Sequence, residues 1–352
     1  MIVERYLIRE ILKPMLLGIG LLILVFTGYT TAIKLAQAAD GLLQPGMVAR
    51  LVALNTLIVM EVLLPTALYL SIIASLGRLY RDSEVAALTA AGFSEFRLLR
   101  AVLLLAAAVA AVVAVISLFG RPWAYLITYR LEEQAAAEFD IKRLEAGQFF
   151  ELSDNHYVLY AAGIDRNQGR LHDVFMQSDQ SGKSQVIYAK TATLPEPTPG
   201  EGRSMQFTDG YAYLLDQKDA RDSVLKFHTL TINVGEDARI EARRRKAVST
   251  VRLATSHRPK DIAEFEGRTA TPLATLLLAM LAVPLSRSAP RESRHGGVIV
   301  AILVYILFFN LTGIARNWVE QGKVGALPGI WWVYGLALGL WAVLMIAPWR
   351  RR

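Results

Sequence analysis

The sequence has 352 residues, 53% of them hydrophobic, and a mean hydropathy of +0.34. This apolar share exceeds that of ordinary soluble domains and indicates an integral membrane protein. The absence of cysteine excludes a disulfide framework and a thiolate metal site. The net charge of +7 comes from basic residues at the edges of apolar runs, without interleaved aromatics on one surface. It therefore favours orientation in a membrane over a nucleic-acid partner.

Six apolar runs predict six transmembrane helices, because roughly 20 apolar residues in a helix cross the hydrocarbon core. The runs are residues 15–33, 51–76, 98–119, 272–285, 298–315 and 328–347. Ala36-Gln37-Ala38 also fits a signal-peptide cleavage site, but the first run is longer than a usual signal sequence, so an uncleaved span is expected. We therefore predict an α-helical integral membrane protein with an inserted extramembrane domain. Its three parts are residues 1–120, 121–268 and 269–352.

Basic residues near the ends of the spans predict the orientation, because cytoplasmic loops carry the excess of lysine and arginine. If all six spans are real, the main basic clusters fall on one side of the membrane. They are Arg5, Arg9 and Lys13; Arg78, Arg81, Arg97 and Arg100; Arg287, Arg291 and Arg294; and Arg350 to Arg352. Both termini are then cytoplasmic. The region 121–268 lies outside, in the periplasm of a Gram-negative host.

The outer region begins with a helix-compatible stretch, residues 123–145, that extends the third span. Seven short runs rich in aromatic and β-branched residues follow, separated by turn residues such as Asn167-Gln168-Gly169 and Asp209-Gly210. The runs are residues 148–152, 157–162, 173–177, 185–193, 205–208, 211–215 and 224–233. This spacing predicts an all-β antiparallel sandwich or jelly roll.

The charged stretch Gly77–Gly92, called the docking segment below, lies between the second and third apolar runs. Asp82 or Ser83 is placed to cap a short helix, Glu84 falls in its first turn, and Gly92 is a natural stop. Helical spacing predicts an apolar side formed by Val85, Leu88 and Ala91, with Glu84 and Thr89 facing outward. Periodicity alone leaves two readings open: a docking helix, or a membrane-surface connector whose charges are merely solvated.

The sequence lacks the motifs of an enzyme or an ATPase. Ser181-Gly182-Lys183-Ser184 has the ending of a P-loop, but Gln177 occupies the position of its first glycine. No H-E-x-x-H or G-x-S-x-G pattern occurs, and the five histidines are not paired at ligand spacing. We therefore expect a chain that binds no cofactor itself and obtains energy from another subunit.

Ionisable residues within or beside the spans are informative, since a charge in hydrocarbon is costly. Glu61 is the deepest, and we interpret it first as a packed, hydrogen-bonded or protonated carboxyl and second as a transport residue. Six cations, called the rim cations below, lie at the outer ends of the spans: Lys34, Arg50, Arg121, Arg268, Arg316 and Lys323. Each fits snorkelling to headgroups, and together they fit a ring that attracts an anionic lipid. The basic run 243–246 fits a solvated surface or strand edge first and a phosphate contact second.

Several stretches resemble one family of membrane proteins. They are residues 1–13, Glu61 to Tyr69 leading into Gly77 to Glu84, Ala90-Ala91-Gly92, Gln148-Phe149 and Val283-Pro284-Leu285. Together with the three-plus-three arrangement they resemble the permease subunits of the lipopolysaccharide-export ABC transporter, over the whole chain. The N-terminus and the pattern Leu-Tyr-x-x-Ser-Glu are closer to the F-type than to the G-type permease.

The resemblance implies partners and roles. The docking segment becomes a coupling helix that docks on a dimer of cytoplasmic ATPase subunits, which use ATP and Mg. Its contacts would come from Arg81, Ser83, Glu84, Val85 and Leu88. The other implied partners are a G-type permease, a single-span periplasmic jelly-roll protein of the C-type, lipopolysaccharide and membrane lipids. Lys34 and Arg268 match the family's lipid-side cations, whereas Arg316 and Lys323 are inferred from charge and depth.

The implied mechanism moves lipid from the outer leaflet of the inner membrane into the β-domain. Lipid enters between the first and fifth spans of opposing subunits, and ATP binding closes the cavity through the docking segment. Inward-facing residues would form an apolar slide for acyl chains; they are drawn from Tyr157, Leu159, Val174, Met176, Ile187, Phe207, Tyr211 and Tyr213. A membrane-anchored assembly or sensor protein with a partner-binding β-domain remains the alternative, and a lipid enzyme is third.

Overall fold

The computed structural model describes residues 2–39, 43, 45–143, 146–152, 157–165, 169–180, 183–193, 203–216, 223–234, 245–287 and 296–346. The chain divides into two compact units. The helical unit comprises Met1–Ala36, Pro45–Thr128 and Arg244–Arg352. The β unit comprises Gln37–Gln44 and Tyr129–Arg243.

Nine α-helices are described. They are α1 (Ile2–Ala39), α2 (Pro45–Arg81), α3 (Glu84–Ala90), α4 (Glu95–Val115), α5 (Arg121–Arg143), α6 (Thr250–Ala254), α7 (Pro259–Leu285), α8 (Gly296–Glu320) and α9 (Trp331–Ile346). Among the described residues, five helices are long and apolar enough to cross a membrane, and Trp331–Ile346 is a shorter apolar helix. The five are Ile2–Ala39, Gly46–Arg81, Glu95–Glu132, Pro259–Leu285 and Val298–Glu320.

The third span and the predicted helical lead-in form one continuous helix. A π-helical turn, Ile116–Gly120, joins α4 to α5 without a break. Such turns insert one extra residue into a helix and change the direction of the side chains that follow. The prediction that the stretch from residue 123 extends span three is therefore confirmed for α5.

Helix α7 is the centre of the helical unit and begins earlier than the fourth apolar run. It starts at Pro259, a residue suited to a first helical turn, and runs to Leu285. Of its most apolar stretch, 61% is buried inside the unit, compared with 17% for α1 and for α8. The broad apolar faces of α1 and α8 therefore remain exposed in the isolated chain.

The β unit contains one six-stranded antiparallel sheet in which sequence neighbours pair, in the order β1 to β6. The strands are β1 (Phe149–Leu152), β2 (Tyr157–Asp165), β3 (Arg170–Gln180), β4 (Lys183–Thr193), β5 (Arg203–Asp216) and β6 (Ser223–Val234). The prediction of separate strands at 205–208 and 211–215 is wrong, because β5 runs through both.

Asp209-Gly210 is a bend within β5 rather than a turn between two strands. A β-carbon on Gly210 would lie 2.2 Å from the carbonyl oxygen of Tyr188, so glycine is needed there for close strand packing. Asp209 and Asp173 both have positive φ angles, 54° and 48°. After them the buried positions change from odd to even residue numbers, because each bend shifts the side-chain alternation by one position. The apolar face of the sheet therefore continues across the bend.

Candidate functional site

The docking segment folds as a short helix between two turns. Helix α3 spans Glu84–Ala90, with Ser83 at its N-cap position. Ser83 has a φ of 59° and makes no side-chain capping hydrogen bond, so the predicted Ser83 cap is wrong. At the other end the amide of Phe93 donates to the carbonyl of Leu88 (2.9 Å) and Gly92 has a φ of 85°. This left-handed glycine ends the helix as predicted.

The two sides of α3 differ in burial. Val85 is buried in the helical core and Leu88 is half-buried, so the predicted apolar side is confirmed for these two residues. Ala91 is exposed, as are Arg81 and Ser83. Val85 and Leu88 therefore pack α3 against the helical core, while its polar residues face away from the core.

Glu84 is tied to another helix rather than standing free. The hydroxyl of Tyr6, on the first turns of α1, donates to Glu84 Oε2 at 2.8 Å. Among the described residues the second carboxylate oxygen, Oε1, has no hydrogen-bond donor. Glu84 is thus half-buried, oriented by one partner and able to accept a second.

The flanks of the docking segment are held by ion pairs to distant parts of the chain. Arg78, on the last turn of α2, pairs with Glu10 of α1. Arg287, just after α7, donates to Glu95 Oε2 at 2.7 Å, on the first turn of α4. The first contact involves α1, which precedes the β unit in the sequence, and the second involves the end of α7, which follows it.

A second group of charges lies inside the helical unit and is called the charge cluster below. It contains three glutamates and three arginines: Glu61, Arg121, Glu264, Arg268, Arg316 and Glu320. Glu264 is its centre, with side-chain exposure of 3%. Its carboxylate lies 3.4 Å from Arg121, 3.1 Å from Arg268 and 2.5 Å from Arg316. Because acids and bases are equal in number, the cluster balances its own charge.

All five N–H donors of Arg268 have acceptors. Nε donates to Glu264, Nη1 to the carbonyl of Val248 (2.8 Å) and to Thr250 Oγ1 (3.1 Å). Nη2 donates to the carbonyls of Lys246 (2.9 Å) and Arg245 (3.4 Å). The side chain is 0% exposed. Arg268 of α7 therefore binds residues 245–250. These contacts explain why residues 245–250 belong to the helical unit, although the predicted outer domain extends to residue 268.

Glu61 is packed and hydrogen-bonded, which confirms the first interpretation of this residue. Ser117, in the π-helical turn, donates to Glu61 Oε1 at 2.7 Å, and Thr271 of α7 donates to the same oxygen at 3.2 Å. Arg121 Nη1 lies 3.2 Å from the other oxygen. Glu61 therefore joins α2 to the third and fourth spans.

The rim cations are not one set of equivalent exposed charges. Arg121, Arg268 and Arg316 belong to the charge cluster, and only Arg316 has appreciable side-chain exposure, at 31%. Arg268 is fully buried and its donors are all occupied within the helical unit, so its predicted contact with lipid remains a prediction. Lys34 is half-buried on α1, and Lys323 is exposed after α8. Lipid binding by Lys34, Arg316 and Lys323 remains a prediction.

The basic run before α6 packs against the same part of the helical unit. Lys246 Nζ lies 5.5 Å from the centroid of the Tyr125 ring, and Arg245 Nε lies 3.1 Å from Asp261 Oδ1. Both residues have partners within the protein, so their contacts differ from those of a solvated strand edge. Arg243 and Arg244 lie outside the described residues.

The predicted slide residues lie on two different faces of the sheet. Leu159, Met176 and Phe207 are buried in one apolar cluster, together with Val174 and Ile187. Leu159 pairs with Met176 across β2 and β3, and Met176 pairs with Ile187 across β3 and β4. The expectation that Tyr211 and Tyr213 face the same way is wrong: they are 41% and 39% exposed and alternate with buried Gly210 and Ala212. The side chain of Tyr157 lies outside the described residues.

Sequence reasoning missed Tyr6, Glu264 and Glu266. Glu264 and Arg268 stand four residues apart, the spacing of a helical ion pair, and this signal was present in the sequence. Glu266 is buried and accepts from the amide of Ile330 (3.3 Å), next to the start of α9. Gly329 is needed at this contact, because a β-carbon there would lie 2.4 Å from Glu266 Oε1. No local pattern identifies Tyr6, whose partner is 78 residues away.

These features define a class: a multi-span helical membrane protein with an antiparallel β unit inserted between its third and fourth long apolar helices. The sequence profile of one family, the lipopolysaccharide export system permease LptF/LptG, matches residues 5–347. Because the match covers nearly the whole chain, the chain belongs to this family.

Curated relatives agree with the family match. The chain is 26% identical, over 356 aligned residues, to the lipopolysaccharide export system permease protein LptF of Escherichia coli strain K12. The alignment covers 98% of this chain and 94% of the relative. The LptF proteins of Escherichia coli O157:H7 and Shigella flexneri show the same identity and coverage. The chain is therefore similar to F-type permeases along its full length.

Proposed function

We propose that the chain is the F-type permease subunit of an ABC transporter that extracts lipopolysaccharide from the outer leaflet of the inner membrane. The observation that carries this proposal is the family match over residues 5–347, with LptF relatives aligned over 98% of the chain. Family membership makes the chain a permease subunit for lipopolysaccharide export. The F-type assignment, the partners and the lipid path are our proposals.

In the proposed topology six spans cross the inner membrane and both termini are cytoplasmic. Five long apolar helices support this arrangement, and α9 would be the sixth span. Its 16 described residues measure about 24 Å at 1.5 Å per residue, somewhat less than the ~30 Å hydrocarbon core. The distribution of basic residues supports a cytoplasmic docking segment and a periplasmic position for residues ~121–268.

The proposed lipid cavity lies between this chain and a G-type permease. The exposed apolar faces of α1 and α8 support this, since these two helices bury the smallest share of their apolar stretches within the unit. Large exposed apolar areas mark contacts with lipid or with another protein. Acyl chains would contact these faces, and lipid phosphates would contact Lys34, Arg316 and Lys323. Membrane lipids would cover the remaining apolar surface.

The β unit would receive the lipid and pass it to the similar domain of a C-type periplasmic partner. We propose that this sheet curves into a jelly-roll-like arrangement around its continuous apolar face, although the described strands pair in sequence order, as in a meander. Leu159, Met176 and Phe207 are 2% exposed or less. Acyl chains would reach them only if the sheet opened, with Tyr157 as a further candidate contact.

Energy would come from a dimer of cytoplasmic ATPase subunits, which bind ATP and Mg, whereas this chain binds no cofactor. The docking segment supports this role because α3 is held by Val85 and Leu88 while Glu84 Oε1 is open to a donor. Arg81 and Ser83 are exposed beside it. We propose that Arg81, Ser83 and Glu84 contact the ATPase dimer, and that Val85 and Leu88 transmit its closure through the helical core to the membrane cavity.

Replacing Lys34 by aspartate in the assembled complex is expected to lower lipopolysaccharide photocrosslinking to α1 about tenfold. Charge reversal replaces attraction to a lipid phosphate by repulsion, and tenfold corresponds to about 1.4 kcal/mol. Lys34→Arg keeps the charge and is the matched control, with crosslinking expected to stay near the wild-type level. If crosslinking in Lys34→Asp equalled that of the wild type, Lys34 would not bind lipid phosphate and would only snorkel to the headgroups.

The alternative is a membrane-anchored assembly or sensor protein whose β unit binds a partner. The long edge strand β6 and the exposed apolar helices are compatible with such a scaffold. The two functions predict complexes with different subunits. A permease copurifies with an ATPase and a second permease, whereas a scaffold forms a stable homo-oligomer without either.

A further inference from the structure

The first turns of α1 are fastened to the end of α2 by side-chain hydrogen bonds to the backbone. Ser71 Oγ donates to the carbonyl of Ile11 (2.5 Å), and Ser75 Oγ donates to the carbonyl of Glu10 (2.8 Å). Arg78 then pairs with the Glu10 carboxylate one turn further along α2. Side chains on three consecutive turns of α2 thus contact the start of α1 and join these two helix ends.

Tyr6 lies on this fastened end of α1 and reaches the docking segment. Its hydroxyl donates to Glu84 Oε2 at 2.8 Å, and the residue is 40% exposed. Leu7, the next residue, is 0% exposed and fixes the turn from which Tyr6 projects. A buried neighbour therefore supports a half-exposed tyrosine whose hydroxyl has a defined acceptor.

The contact constrains an otherwise flexible side chain. A glutamate on a short surface helix has several rotamers, and a hydrogen bond from a fixed donor to one oxygen reduces their number. Because the second oxygen has no donor among the described residues, the bond leaves Oε1 available to a cation outside this chain. Glu84 therefore uses Oε2 for the hydrogen bond with Tyr6 and keeps Oε1 for a partner on another subunit.

We propose that Tyr6 is a positioning residue that orients Glu84 for the ATPase and passes movement of α3 directly to α1. The inference rests on the proposed function, in which α3 docks on the ATPase and α1 lines the lipid cavity. The Arg78–Glu10 pair links the start of the docking segment to α1, and the Tyr6–Glu84 hydrogen bond links α3 itself to α1. Helix α1 is the helix that carries Lys34 and an exposed apolar face.

The test uses the complete complex, with its native ATPase, in nanodiscs containing lipopolysaccharide. Tyr6→Phe removes only the hydroxyl, so lipid released per ATP hydrolysed is expected to fall about tenfold, the order of a hydrogen bond to a charged group. Tyr334→Phe is the matched control. It removes a bond of 3.0 Å to the carbonyl of Ala270 elsewhere in the helical unit, and the release ratio is expected to be unchanged.

A double-mutant cycle separates positioning from general damage. If Tyr6 acts through Glu84, adding Tyr6→Phe to Glu84→Ala, which has no acceptor for the tyrosine hydroxyl, lowers the release ratio by less than twofold. An unchanged ratio in Tyr6→Phe alone would overturn the inference, as would equal losses in the Glu84 and Glu84→Ala backgrounds. If the wild-type complex itself released no lipid on ATP addition, the proposed function would fail and the inference with it, before any variant was measured.

Discussion

Replacing Glu84 by alanine is expected to uncouple ATP hydrolysis from lipid release, with at least a tenfold fall in lipid released per ATP. The truncation removes the open oxygen that we propose as the acceptor for the ATPase. It leaves Val85 and Leu88 in place, so α3 is expected to stay folded. The loss corresponds to about 1.4 kcal/mol or more, within the range of a charged hydrogen bond. Purified complexes in nanodiscs allow both rates to be measured on one preparation.

Asp82→Ala is the control for this experiment, because Asp82 is an exposed carboxylate two residues before Glu84. It changes the net charge of the docking segment equally and is expected to leave the release ratio within twofold of the wild type. Full ATP-driven release by Glu84→Ala, with the ATPase still bound, would show that Glu84 does not couple the two subunits.

Replacing Glu264 by glutamine is expected to destabilise the helical unit by about 3–5 kcal/mol, the usual cost of removing one partner from a buried ion pair. The substitution keeps the shape of the side chain but removes the charge that faces Arg121, Arg268 and Arg316. Arg268 is then left fully buried without its acidic partner. Denaturant unfolding of the purified protein in detergent measures the change.

Glu320→Gln is the matched control for the charge cluster. Glu320 also pairs with Arg316, at 3.1 Å, but its side chain is 39% exposed. An exposed ion pair contributes about 0–1 kcal/mol, so this variant is expected to unfold near the wild-type midpoint. If both substitutions shifted the midpoint equally, burial of Glu264 would not be the source of its contribution.

Helices were the part of the fold that the sequence predicted best. Apolar runs located five long helices and a sixth shorter one, because long stretches without charge have few other structures available. The start of α7 was missed by more than three turns, since Glu264, Glu266 and Arg268 interrupt the hydrophobic pattern. Their charges are compensated by partners on other helices, and a linear pattern does not show such partners.

The prediction of two strands where the structure has the single strand β5 was wrong for a physical reason. Asp-Gly is a strong turn signal, yet at 209–210 the glycine serves a close approach to β4 within a continuous strand. The same bend shifts the alternation of buried residues along β5. That shift explains why Phe207 was assigned to the correct apolar face while Tyr211 and Tyr213 were not.

The candidate site was predictable in part. Gly92 as a helix stop and Val85 as an anchor follow from local rules and were confirmed, whereas Ser83 adopts a left-handed conformation without a cap. The partners of Glu84 and Arg268 come from residues far away in sequence, Tyr6 and the stretch 245–250. Tertiary packing therefore decides which of the predicted charges are open to a ligand.

The composition of the complex isolated at native expression level shows whether this chain is the permease subunit of an ATP-driven lipopolysaccharide transporter. The chain is purified from membranes through a small C-terminal tag, and bound proteins and lipids are identified by mass spectrometry. We expect two copies of an ATPase subunit, one related permease and bound lipopolysaccharide. A stable homo-oligomer that carries neither an ATPase nor lipopolysaccharide would contradict it.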